Sequence, residues 1–243
     1  LPWVQDVVRY AIQTVPADKL LVGIAGYGYD WPSTGGMATM LELARQFSLP
    51  LVYASSAAVY GPSQAAGLSE EQGLAPQSLY GVFKRTNEEM ARLYAQEYGV
   101  ASAGLRPWVV YGPGRDVGMT GDITLALWHA LRGEPYRIRF SGKVDLQYAE
   151  DVGRAFVAAA VNPKPGANVY NLRGHVTTVD EVIAAIERVT GTAGLVSQEG
   201  TPIPIAADLS DARFQEHFGP FTFRRMEDGF RESVQIWRKK GAV

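Results

Sequence analysis

The chain has 243 residues, 47% of them hydrophobic and 20% charged, which excludes a disordered tail, a collagen-like chain and a coiled coil. Its 23 Lys and Arg against 25 Asp and Glu leave a net charge of −2, so no basic excess is available to neutralise nucleic-acid phosphates. It has no cysteine, which excludes disulfides and thiolate-metal sites and fits a reducing, cytoplasmic setting.

The chain starts Leu1-Pro2-Trp3, without an initiator Met or a signal peptide, and reads as a fragment or a processed product. No apolar run approaches the length of a membrane span, so no membrane partner is expected. Residues 4–14 read as an amphipathic helix, because Val4, Val7, Val8, Ala11 and Ile12 recur at helical spacing. A short strand follows at 19–24, then a Gly/Tyr/Trp-rich stretch at 23–36. A second helix covers 37–47. The run Leu51-Val52-Tyr53-Ala54 is a strand, followed by a serine turn. A long helix covers 79–98 and stops at Gly99, a left-handed cap. A strand at 101–106, helices at 123–132 and 149–160, a strand at 169–172 and a helix at 178–190 come next. Helices at 208–218 and 226–239 close the chain. Strands separated by helices predict an α/β fold with a mainly parallel sheet.

Tyr80 and Lys84 stand four apart in the long helix, so both lie on one face, one turn apart. A tyrosine hydroxyl is a poor proton carrier at neutral pH, and a neighbouring ammonium favours its phenolate. The pair is therefore a candidate general acid and base. Upstream, Tyr53-Ala54-Ser55-Ser56 ends a strand in two serines. Ligand crevices of open α/β sheets lie at such carboxyl ends, so Ser56 is expected beside Tyr80. Downstream, Leu105-Arg106-Pro107-Trp108-Val109-Val110-Tyr111-Gly112-Pro113 leaves the next strand for a Pro/Gly loop. His129, His175 and His217 have no ligand spacing, and no metal site is expected. Glu70-Glu71 and Glu88-Glu89 read as solvated pairs.

From about residue 37 onward the chain resembles the extended short-chain dehydrogenase/reductases, the NAD-dependent epimerase/dehydratases. The resemblance rests on Ala54-Ser55-Ser56-Ala57-Ala58-Val59-Tyr60-Gly61, on Tyr80-x-x-x-Lys84, on the Leu105–Pro113 run and on Gln147-Tyr148-Ala149-Glu150-Asp151-Val152. It implies a Rossmann-like parallel sheet, truncated in its N-terminal nucleotide-binding half, with a small C-terminal α/β substrate lobe. The implied division is 1–36, a partial catalytic core at 37–161 and a substrate lobe at 162–243. The cofactor implied is NAD or NADP. The substrate implied is a small sugar or nucleotide sugar, and two copies are an allowed assembly. Tyr80 would be the acid/base, Lys84 would hold the nicotinamide ribose, and Ser56 would orient the reacting hydroxyl. Pro107 and Trp108 would lie near the nicotinamide. Ser55, Ala57, Arg115 and Tyr148 would contact substrate.

The chain also departs from that pattern. Fewer residues precede the serine motif than the family usually carries. Gly23, Gly26 and Gly28 resemble its glycine fingerprint, but the third glycine comes one position early. Tyr29-Asp30-Trp31-Pro32-Ser33 then stands where a helix should open on the pyrophosphate. Weak or absent dinucleotide binding follows. Residues 1–33 resemble instead a strand of family 18 glycoside hydrolases, with Tyr27, Tyr29 and Trp31 as an aromatic patch, which suggests a chimera joined near 32–36. Ala57-Ala58 replaces the Asp-Glu pair of sugar 4,6-dehydratases. Val109 and Val144 replace the Asn and Arg of nucleotide-sugar epimerases, with Arg115 or Lys143 as substitutes. A non-catalytic chimera and a carbohydrate-binding or glycosidase-derived protein are the rival readings.

Overall fold

The computed structural model describes residues 36–241. The candidate glycine turn, the aromatic patch and the expected junction at 32–36 lie at or before its start; residues 1–35 are outside the described residues.

The organising unit is a strand–helix–strand. β1 (Leu51–Ala54) is a short apolar run, largely buried, as strands of a parallel sheet covered on both faces are. Helix α1 (Gly36–Phe47) precedes it and packs Leu41 and Ala44 into a cluster with Leu51 and Tyr53. A 3-10 turn (Ala57–Val59) and a long loop lead from β1 to α2 (Leu79–Tyr98). Ser78 caps α2 by accepting from the Gly81 N–H, and Gly99 ends it at φ 70°. The chain returns as β2 (Ser102–Arg106), parallel to β1 with Leu51 opposite Ser102 and Ala54 opposite Leu105. β6 (Ala167–Asn171) completes the sheet on the other side of β2, again parallel, giving the order β1-β2-β6.

A second sheet holds β3 (Val109–Tyr111), β5 (Lys143–Tyr148) and β7 (His175–Thr178). β3 runs parallel to β5, and β7 runs antiparallel to it. β4 (Tyr136–Ile138) and β8 (Val196–Gln198) form a parallel pair. Around them lie α3 (Asp122–Leu131), α4 (Ala149–Val161), α5 (Val179–Thr190), α6 (Ala212–Phe218) and α7 (Met226–Lys239). α5 opens on a capping box of Thr178 and Glu181. One core cluster joins Tyr60, Tyr111, Leu146, Val182, Phe230 and their neighbours; a second joins Val52, Leu105, Tyr170 and Phe214.

The α/β class and the parallel sheet agree with the sequence reading. Three differences stand out. The helix expected from 208 starts only at Ala212, because Asp208 is held by Arg173 and Lys143 and Leu209 bridges to Leu68. β3, β4, β5, β7 and β8 were not expected from the residue pattern. The sheet also crosses the expected division at residue 161, since β6 pairs with β2.

Candidate active site

Because β1, β2 and β6 are parallel, their carboxyl ends share one edge. Ser55 and Ser56 follow β1, Pro107 follows β2 and Leu172 follows β6. The Ala57 N–H donates to the Pro107 carbonyl at 3.0 Å, which ties the first two ends together. Ser56 sits at the start of the 3-10 turn, and its Oγ accepts the Ala58 N–H at 3.1 Å. Helix α2 meets this turn closely. A Cβ on Gly81 would lie 2.1 Å from the Ala58 carbonyl oxygen, so only glycine permits the approach. Tyr80, half-buried, is the residue just before that contact.

Lys84 is 5% exposed, and its Nζ donates to the Ala54 carbonyl at 2.7 Å. The same nitrogen lies 5.5 Å from the Tyr80 ring centroid. Burial pulls the Lys84 ammonium down from its usual range to about 8. At neutral pH it therefore stays mostly charged, and that charge sits beside the phenol. The end of β1, the turn carrying Ser56 and the first turns of α2 thus meet at one edge of the sheet.

The other expected site residues are placed differently. Pro107 is buried and used as an acceptor. Trp108 is buried too: its indole N–H donates to the Ala206 carbonyl at 2.7 Å, and its backbone N–H to Gln147. Ala57 is buried beside Ser56. The Arg115 guanidinium turns back on its own loop, to the Val117 carbonyl and to Thr120 Oγ1. Ser55 and Tyr148, expected to contact substrate, are fully or almost fully buried. Ser55 Oγ donates to Glu88 at 2.5 Å. The Tyr148 ring packs against Tyr111 and under Arg224, and burial pushes its hydroxyl up to about 12.

Behind the edge lies a buried polar network that the sequence reading missed. Arg106, fully buried, donates twice to Glu88, at 2.7 and 2.8 Å, and also to the Tyr60 hydroxyl and the Glu70 carbonyl. Tyr60 donates to Asn171, whose backbone N–H donates to Glu70 Oε1. Glu70 and Glu88 are therefore core groups and not solvated ones. The available signal was the continued spacing Tyr80, Lys84, Glu88, which puts all three on one face of α2. Among the described residues no cluster of His, Asp and Glu is arranged to hold a metal.

A sheet of parallel strands with a Tyr-x-x-x-Lys helix beside a serine turn at the strand ends defines a Rossmann-like short-chain dehydrogenase/reductase architecture. The profile of the NAD dependent epimerase/dehydratase family matches residues 31–172, and the chain belongs to that family. Over 235 residues it is 28% identical to an uncharacterized UDP-glucose epimerase, YtcB, of Bacillus subtilis, covering 93% of this chain and 73% of that protein. Over 158 residues it is 32% identical to UDP-glucuronate 4-epimerase 6 of Arabidopsis thaliana, covering 63% of this chain and 32% of that one. The solved UDP-glucose 4-epimerase of Thermus thermophilus, a complex with NAD, is 28% identical with a TM-score of 0.72. That match covers 86% of this chain and 70% of the other. The chain thus spans about three quarters of one curated relative and a third of the other.

Proposed function

We propose that this chain is a sugar epimerase or related oxidoreductase that acts on a nucleotide sugar with NAD, using Tyr80 as its acid/base. The observation that carries this reading is the buried Lys84 ammonium, anchored on Ala54 and 5.5 Å from the Tyr80 ring. The relatives named for UDP-glucose and UDP-glucuronate support the substrate class, and the NAD complex of the Thermus enzyme supports the cofactor.

The described residues fit the nicotinamide-ribose end of a dinucleotide. Lys84 uses one N–H on Ala54, whereas an ammonium carries three, so donors are left for a ribose diol. When bound, NAD supplies the hydride acceptor. Tyr80 takes the proton from the sugar hydroxyl and returns it on re-reduction. Lys84 favours the phenolate by direct charge attraction. Ser56 keeps its hydroxyl proton for the substrate oxygen, because its Oγ already accepts from Ala58. Pro107 borders the cofactor through its backbone, and Arg115, once released from Val117 and Thr120, is the candidate for substrate phosphate.

The candidate phosphate turn at Gly23, Gly26 and Gly28 departs from the family fingerprint, and the dinucleotide is held chiefly at its nicotinamide end. Affinity for NAD then falls to about millimolar or weaker. Calorimetric titration tests this: saturable binding in the low micromolar range would show a working phosphate turn. Two copies are part of the same reading, supported by the exposed Val82, Phe83 and Leu93 of α2. Light scattering that gives a monomer at high concentration would remove that part.

A further inference from the structure

We propose that Gln147 is a positioning residue that fixes the serine turn of the active site by clamping the peptide unit between Pro107 and Trp108. The proposal rests on the site assignment above and adds a residue to it. The two ends of one peptide plane are held from opposite sides. Its N–H, on Trp108, donates to Gln147 Oε1 at 3.2 Å; its carbonyl, on Pro107, accepts the Ala57 N–H at 3.0 Å. Ala57 is the residue after Ser56 and opens the 3-10 turn that Ser56 caps.

The orientation of the Gln147 amide is fixed by its partners. Nε2 donates to Asp145 Oδ2 and to the Leu172 carbonyl, both at 2.9 Å, and the carbonyl can only accept. Oε1 must therefore face Trp108. Asp145 is anchored in turn by the Gly174 N–H, at 2.9 and 3.1 Å to its two oxygens. Gly174 cannot be moved aside by a side chain, since a Cβ there would lie 2.1 Å from the Leu146 carbonyl oxygen. Gln147 and Asp145 are both fully buried, and Trp108, which they serve, is buried as well. Without the Gln147 acceptor, the Trp108 N–H is left unpaired in the core, which is costly. The peptide plane then tips to find a partner. Its carbonyl turns with it, because the unit is planar, and the Ala57 contact is lost. The line runs from β5 through the β2–β3 connection to Ser56, and neither Gln147 nor Asp145 touches the reacting atoms.

Amide hydrogen exchange on the full chain tests this. In Gln147→Met the Trp108, Ala57 and Ala58 amides should exchange about tenfold faster or more, while the Leu51 amide, paired with Ala101, stays as in the wild type. If Gln147→Met fails to fold, the double variant Asp145→Asn, Gln147→Glu keeps an acceptor towards Trp108. It should hold Ala57 exchange within about threefold of the wild type. With UDP-glucose as the probe, Gln147→Met should lower kcat and leave KM unchanged, and the double variant should restore kcat. A faster Trp108 amide with Ala57 and Ala58 unchanged would overturn the proposal. So would a uniform rise across Leu51 and the turn, which is loss of stability without positioning. Absence of turnover in the wild type would count against the proposed function alone, because the exchange pattern judges the clamp independently.

Discussion

Lys84 is held in its charged form at a cost. The residue is 5% exposed, and burial lowers its pKa from 10.5 to about 8. A shift of that size corresponds to about 3 kcal/mol. Above 10.5 both states are neutral and the cost vanishes. As pH falls from 10.5 to 8 the unfolded chain takes up the proton first, so stability declines, and below 8 the full cost is present. Lys84→Met should therefore be more stable than the wild type at neutral pH by about 1–3 kcal/mol, partly offset by the lost bond to Ala54. Urea denaturation at pH 7 and pH 10 checks this; the gain should shrink at the higher pH. A destabilised Lys84→Met would mean that the ammonium is net favourable where it sits. The Tyr80 and Lys84 pair was legible because helical spacing alone puts the two on one face. The inward turn of Ser55 was not, since two adjacent serines look alike until Glu88 claims one of them.

At the scale of elements, the Arg106–Glu88 pair joins α2 to β2. Both side chains are buried, and Glu88 accepts from Ser55 as well. Removing one partner leaves an uncompensated charge in the core, which typically costs about 3–5 kcal/mol. Arg106→Met should lose stability on that scale, read as a fall in the denaturation midpoint, whereas Arg92→Met, an exposed pair with Glu89 on the same helix, should change it by less than about 1 kcal/mol. Equal effects would mean the buried network carries no special weight. Asp145 makes a second prediction. It is fully buried, and desolvation raises its carboxyl to about 7, against contrary pulls from Gln147, Gly174 and Arg173. Between its ordinary 3.8 and about 7 the unfolded chain releases this proton while the folded chain keeps it. The wild type therefore loses stability as pH rises through that window. Asp145→Asn should flatten the loss, measured as denaturation midpoints at pH 5 and pH 7.5; parallel curves would contradict the assignment. The long helix was legible because it carries its own caps at Ser78 and Gly99. β3, β4 and β8 were not, because three residues show no period. β5 did carry a strand signal, apolar Val144, Leu146 and Tyr148 alternating with polar Asp145 and Gln147, but both of its faces are buried, so the alternation marks a polar network inside the core and not a solvated face.

For the whole molecule, the order of the motifs along the chain carried the family assignment. The wider packing was hidden because β6 returns to the first sheet from beyond the expected division, a pairing of distant residues that no local pattern encodes. Among the described residues no helix is long and apolar enough to cross a membrane. The same long-range assembly brings Ser56, Lys84 and the residue before Gly81 to one sheet edge, and the account stands or falls on their acting together. The most direct measurement is turnover of UDP-glucose and UDP-glucuronate at about millimolar NAD by the wild type, Tyr80→Phe and Lys84→Met, with folding verified by circular dichroism. Wild-type turnover is expected, falling by about a hundredfold or more in Tyr80→Phe with the fold intact. Undiminished turnover in Tyr80→Phe, or none in the wild type at any NAD concentration, would contradict it.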